Sequence, residues 1–182
     1  MSYCSYLNTM SGPQKELHKA YHDNQYGFPI HNDDELFARL ILEINQAGLS
    51  WETILKKQDS FRDAYQNFEI STVAAFDEYD RARLMGDPGI IRNRLKINAA
   101  IENAKTILIL KKEYGSFEKW LDSHHPKPLQ DWMKIFKKTF KFTGGEIVNE
   151  FLVSTGYLPG AHHVNCPIFQ QVVKSAPAWN RK

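Results

Sequence analysis

The run from Glu43 to Asp59 constrains this chain more than any other: Glu-Ile-Asn-Gln-Ala-Gly-Leu-Ser-Trp, then Glu-Thr-Ile-Leu-Lys-Lys-Gln-Asp. Upstream of it Leu36, Phe37, Leu40, Ile41, Ile44 and Ala47 recur at helical spacing, so an amphipathic helix leads into it. Asn32, with Glu35 three residues later, reads as a capping box at that helix's start. Gly48 stops the helix and Ser50 caps the next one, which leaves Leu49 and Trp51 at the break. On a helical wheel Glu43 lies beside Leu36, Leu40 and Ala47, while Arg39, Leu42 and Gln46 fall elsewhere. Two readings of Glu43 follow from the pattern. It is a solvated glutamate at the stripe's edge, or a buried acid whose pKa rises by desolvation unless a donor or cation pairs it.

The rest of the chain reads as nearly all helix. Ser50 caps a segment carrying Trp51, Ile54 and Leu55, and a second begins near Ser60 with Phe61, Tyr65 and Phe68. Ser71 caps a short helix running through Leu84, Gly86-Asp87-Pro88-Gly89 is a turn, and a long helix from Arg92 to Tyr114 stops at Gly115. Ser116 to Leu121, Leu129 to Lys141 and Glu146 to Ser154 complete the set, with His124-His125-Pro126-Lys127-Pro128 as a linker. The expected fold is all-α: a single domain over residues 1–182, in one lobe or two, with short helices around one core. A hydrophobic content of 42% fits a globular chain, and a net charge of +2 permits a local nucleic-acid patch without arguing for one. The polar N-terminus has no signal-peptide h-region and no apolar run is long enough to span a bilayer, so no membrane partner and a cytoplasmic location are expected.

Three constellations carry possible chemistry. Cys4, His22, His162 and Cys166 make a tetrahedral zinc set, His162 and Cys166 standing one helical turn apart. Buried thiols are the plainer reading of the cysteines, and His31, His124, His125 and His163 compete as ligands. The segment from Met85 to Ile97 forms a helical hairpin. Its second helix offers outward N–H groups and the positive end of the dipole, with Arg92, Arg94 and Lys96 beside it, as a phosphate anchor. A plain helix-turn-helix corner with surface basics fits the same residues. The run from Lys134 to Phe142 interleaves lysines with aromatics, either as a nucleic-acid groove or as an amphipathic helix with a solvated face.

Taken together, these segments resemble the 3-methyladenine DNA glycosylase I family of the helix-hairpin-helix superfamily. The resemblance is carried by Cys4, Ala20-Tyr21-His22-Asp23-Asn24 with Gly27, Glu43, Gln46-Ala47-Gly48-Leu49-Ser50-Trp51 and Ile54-Leu55-Lys56-Lys57. It continues through Gly89-Ile90-Ile91-Arg92, Arg94, Lys96-Ile97, Phe140-Lys141-Phe142 with Gly144, and His162 with Cys166. The family likeness implies structural zinc on Cys4, His22, His162 and Cys166, tying the N- and C-terminal segments together. It implies that Glu43 and Tyr21 bond the edge of a flipped base, that Trp51 stacks on it, and that Leu49 fills the gap left in the duplex. Gly89, Ile90, Arg92, Arg94 and Lys96 become the hairpin's DNA contacts.

This chain departs from the family pattern at Tyr6 and Tyr26, where tryptophans are usual; both keep an aromatic wall for substrate but narrow it. Ile44 stands where a glycine is usual beside Glu43, and Glu146 where a neutral residue is common. The implied reaction is hydrolysis of the N-glycosidic bond of 3-methyladenine in double-stranded alkylated DNA, by a monomer without strand cleavage. The segment after the hairpin, Asn103-Ala104-Lys105-Thr106, holds no carboxylate, so Glu43 is expected to be the pocket's only acid. The competing reading is a non-catalytic, zinc-stabilised helical module that recognises damaged DNA.

Overall fold

The computed structural model describes residues 2–181, and among them every regular element is helical. In chain order the helices are α1 (Tyr3–Leu7), α2 (Gly12–Asn24), α3 (Asp33–Gln46), α4 (Trp51–Lys56), α5 (Gln58–Ala64) and α6 (Ile70–Ala74). They continue with α7 (Glu78–Gly86), α8 (Arg94–Tyr114), α9 (Phe117–His124), α10 (Leu129–Thr139), α11 (Gly145–Ser154) and α12 (Phe169–Lys174).

Helix α3 runs through the centre, packed against α4, α6, α8, α9 and α11. Its buried surface is wider than the apolar stripe: every residue from Leu36 to Asn45 is buried, Arg39 and Glu43 included. Ile44, fully enclosed, faces the core, so its side chain does not narrow the cavity beside Glu43. Asn32 caps the helix by accepting from the Glu35 amide, but the reciprocal half of the capping box is absent. The Glu35 carboxylate turns instead to a two-pronged pair with Arg62 at 2.9 and 2.8 Å.

One large core joins α3 to α5–α11, while a smaller cluster of Tyr21, Tyr26, Leu55, Val153 and Ala161 lies beside it, with Trp51 and Leu158 packed against both. Between Ser71 and Leu84 the single expected helix is two, because Asp77 closes a capping box that starts α7 afresh. The expected start of α8 at Arg92 moves to Arg94, since the Asn93 side chain accepts from the amides of Leu95 and Lys96. Along α10 and just past its end, Trp132, Phe136 and Phe140 are buried while Lys134, Lys137, Lys138 and Lys141 are exposed. That lysine-aromatic run is an amphipathic helix, not a groove.

Candidate active site

The break between α3 and α4 opens one wall of a cavity of about 580 Å³. Tyr3, Tyr6, His18, Tyr21, Tyr26 and Trp51 line it with rings, and Glu43, Glu52 and Glu150 bring carboxylates to it. Trp51 and Tyr21 meet at a ring-centroid distance of 5.1 Å. Tyr3, which the sequence pattern did not single out, is the hub of the ring cluster, 5.1 Å from Tyr26 and 6.0 Å from Tyr21. Its hydroxyl pairs with His18 Nδ1 at 2.7 Å, and His18 Nε2, buried, has no partner.

Glu43 is only 4% exposed and its carboxyl makes no hydrogen bond among the described residues. Burial pushes its pKa up to about 8; the positive charge of Arg39 one turn earlier opposes that rise and the negative charge of Glu150 adds to it. Arg39 is the second residue that sequence reasoning passed over. Sited off the apolar stripe on the wheel, it is nevertheless buried, donating to the Tyr21 hydroxyl at 3.1 Å and the Ser154 carbonyl at 3.3 Å. Because a guanidinium can only donate, the Tyr21 oxygen is an acceptor there and its own hydrogen is left for another partner. The expectation that Glu43 is the cavity's only acid fails. Glu150 reaches it from α11, far from the hairpin in sequence, where no motif advertises it.

The Leu49 loop adjoins this cavity through Gln46 and Ser50, and the hairpin is tied to the same end of α3. Gly48 takes a left-handed φ of +82°, and Leu49 stands exposed at the tip. Gln46 Nε2 donates back to the Leu49 carbonyl at 2.7 Å, which steadies the loop. In the hairpin Arg92 and Arg94 are exposed and the amides of Ile91 and Arg92 have no partner among the described residues. Gly89 is required by close approach, since an added Cβ would stand 2.9 Å from Ser60 Cβ. Two expected DNA contacts turn inward. Ile90 packs its side chain into the core, and Lys96 is buried, its Nζ donating to the carbonyls of Asn45 and Ala47 at 2.8 and 2.7 Å. An ammonium spent on two carbonyls and shielded from solvent offers no charge to a phosphate.

At the joined chain ends, the ligand atoms of Cys4, His22, His162 and Cys166 all lie within 4.8 Å of one another. His162 Nε2 donates to the Tyr26 carbonyl and His22 Nδ1 to the Asp23 carboxylate, each at 2.7 Å. The remaining nitrogens, His162 Nδ1 and His22 Nε2, therefore face each other at 3.1 Å as bare lone pairs. The sulfur–nitrogen separations run from 3.4 to 3.9 Å. Tetrahedral ligation with metal–nitrogen near ~2.0 Å and metal–sulfur near ~2.3 Å requires edges of about 3.3–3.8 Å. Opposed lone pairs at that spacing, each oriented by a partner behind it, fit a site for a metal ion.

A helical body holds an aromatic cavity with a buried acid that no protein group pairs, and carries beside it the exposed Leu49 loop and a hairpin with free amides and exposed arginines. Residues 11–138 match the family model described as methyladenine glycosylase. DNA-3-methyladenine glycosylase 1 of Escherichia coli strain K12 is 37% identical, over 84% of this chain and 91% of that protein. The DNA-3-methyladenine glycosylase of Haemophilus influenzae is 31% identical, over 85% of this chain and 93% of that one. A solved tyrosine-to-phenylalanine variant of 3-methyladenine DNA glycosylase I in complex with 3-methyladenine superposes with a TM-score of 0.81 at 33% identity, covering 92% of this chain and 97% of that one. The Staphylococcus aureus enzyme, solved for 3-methyladenine recognition, gives a TM-score of 0.79 at 33% identity, covering 89% and 94%. The chain belongs to the methyladenine glycosylase family. Among the described residues no helix is long and apolar enough to cross a membrane.

Proposed function

We propose that this protein excises 3-methyladenine from alkylated double-stranded DNA by hydrolysing its N-glycosidic bond, acting as a monomer in the cytoplasm and leaving an abasic site. The observation that carries the reading is Glu43: a buried carboxyl in the wall of a ring-lined cavity, with a raised pKa and no protein hydrogen bond. An acid so nearly buried with no protein partner is costly to the fold, which is the mark of a group kept for a ligand.

Methylation at N3 gives adenine a positive charge and makes it a good leaving group, so the sugar–base bond needs little help from an acid. Flipping the nucleotide costs a few kcal/mol, least for a damaged pair, and stacking on Trp51 returns about 1–3 kcal/mol. Tyr21, its oxygen occupied by Arg39, donates its free hydrogen to an acceptor on the base edge, while Glu43, giving up its proton as the positive charge arrives beside it, pairs the cationic ring. Leu49 fills the vacated stack. Arg92, Arg94 and the free amides of Ile91 and Arg92 hold phosphates and carry no sequence preference. The Cys4, His22, His162 and Cys166 set would hold a structural zinc ion, whose contribution is to pin α1 and α2 to the C-terminal segment.

Chromatography of bases released from methylated duplex tests the reading. The wild-type protein releases 3-methyladenine, and Glu43→Gln keeps the fold while losing most release, because an amide cannot pair a cation. Tight binding to methylated DNA with no free base from the wild type would favour the non-catalytic recognition module instead.

A further inference from the structure

Of the cavity's other two carboxylates, Glu52 is taken up by Lys56 and Gln14, and Glu150 is left without a task. Glu150 shares the cavity with Glu43 but is half-buried, whereas Glu43 is enclosed. No ion pair consumes its charge among the described residues. Oε2 accepts from the Tyr26 hydroxyl at 3.3 Å and Oε1 from Asn149 Nδ2 at 3.4 Å, which fixes the carboxylate's direction and leaves lone pairs on both oxygens.

Depth separates the two acids. A flipped nucleotide enters base first and stays tethered to the duplex through two phosphates, so its ring reaches the closed end and its sugar stays nearer the mouth. The more deeply buried Glu43 is then the acid for the ring's edge, and the more exposed Glu150 the acid on the sugar's side. Resting on the glycosylase reading, we propose that Glu150 is a second catalytic residue, the carboxylate that holds the attacking water at the sugar's C1′ and takes its proton.

The balance is complete without any further reactant. The C1′–N9 bond breaks with its electron pair going to the base, which leaves as neutral 3-methyladenine while the positive charge passes to C1′. Water adds to C1′, its proton passes to Glu150 and then to solvent, and the sugar is left as the abasic hemiacetal. An ionised carboxylate beside C1′ also favours the charge that develops there. Burial holds the Glu150 carboxyl above the ordinary glutamate range, which strengthens it as a proton acceptor. The Tyr26 hydroxyl keeps it oriented.

The test compares the wild type with Glu150→Gln, Glu150→Asp and Glu43→Gln in two measurements. One is the single-turnover rate of 3-methyladenine release from methylated duplex; the other is the affinity for free 3-methyladenine. Glu150→Gln is expected to slow release by at least about tenfold, below the roughly 100- to 10,000-fold usual for a general base because the leaving group is already charged. Its affinity for free base and its melting temperature should stay close to wild type, and Glu150→Asp should recover part of the rate. Glu43→Gln should lose affinity for the free base as well. Release by Glu150→Gln within about twofold of wild type, or a loss of base affinity in proportion to its loss of rate, would overturn the proposal. Absence of release by the wild type itself is a separate result, which removes the glycosylase reading and this role with it.

Discussion

Lys96 and Ala47 are joined by a hydrogen bond of 2.7 Å from a buried ammonium to a helix-end carbonyl, and the same Nζ donates to the Asn45 carbonyl at 2.8 Å. The last carbonyls of a helix have no partner within it, so a lysine from the start of α8 completes the end of α3. Directly after Ala47 the chain turns at Gly48 and exposes Leu49. A second lysine repeats the tie, as Lys57 Nζ donates to the Pro88 carbonyl in the hairpin at 2.8 Å. The hairpin, the start of α8 and the end of α3 are thus fastened to their neighbours by lysines, and the helix so capped is the one that carries Glu43.

Replacing Lys96 by Met keeps the apolar stem and removes the ammonium, leaving two carbonyls short of a donor. The expected loss is about 1–3 kcal/mol, which for a chain of this size is roughly 2–12 °C in melting temperature. Excision from duplex should fall more than excision from single strands, because the wedge loses its support. The salt dependence of DNA binding should keep the wild-type slope. A slope flatter by about one would return Lys96 to the phosphate contacts.

Glu43 makes stability depend on pH in a known direction. Its carboxyl titrates near 4.5 when exposed and near 8 in the fold. A folded-state value raised above the unfolded one means the fold favours the protonated acid. That contribution is present in full below about pH 4.5 and is lost as pH rises towards 8. Glu43→Gln has no such loss. Melting curves of the two proteins from pH 5 to 9 should diverge, the variant becoming the more stable as pH increases, while its excision activity is mostly gone. A gap independent of pH would mean that the carboxyl does not titrate in this window.

Elemental analysis of protein purified without chelator should find one zinc ion per chain. Short zinc peptides gain about 10–16 kcal/mol from the metal. Here, loss of even ~3 kcal/mol would lower the melting temperature by roughly 6–12 °C. Cys166→Ala should melt low and no longer respond to a chelator that destabilises the wild type. A chelator without effect on a wild type shown to be metal-free would leave the four residues as a hydrogen-bonded cluster only.

The elements that place the site were legible where local chemistry dictates them: the α3 stripe, the Gly48 break, the Ser50 cap and the Gly115 stop all follow from neighbours within a few residues. What escaped depends on contacts between distant parts of the chain. Arg39 reads as a solvent-facing charge on a wheel, because nothing local says that α11 covers that face and offers the Ser154 carbonyl. Glu150 looks like any helical glutamate until α11 is laid beside the cavity. Lys96 was misassigned for the same reason: it sits among surface basics in sequence, yet its register on α8 turns it under the end of α3. Conversely, the metal set was ambiguous in sequence among seven histidines, and the fold resolves it by bringing two of them together with both cysteines.

The hairpin's remaining charges give the last prediction. Arg92 and Arg94 are exposed and form no ion pair among the described residues, so both are free for phosphate. Each neutralised phosphate releases counterions and steepens the fall of log affinity with log salt, by about 0.9 for duplex DNA. Arg92→Ala and Arg94→Ala should each weaken binding to undamaged and methylated duplex alike, and flatten that slope by close to one. Leu49→Ala should leave the slope untouched, because an apolar wedge releases no counterion, and should slow excision from duplex while sparing single strands, where no gap needs filling. Titrations of a fluorescent duplex at several salt concentrations, paired with base-release rates on both substrates, separate these effects. A flattened slope in Leu49→Ala, or equal slowing on duplex and single strand, would show that the loop binds backbone and does not fill the stack.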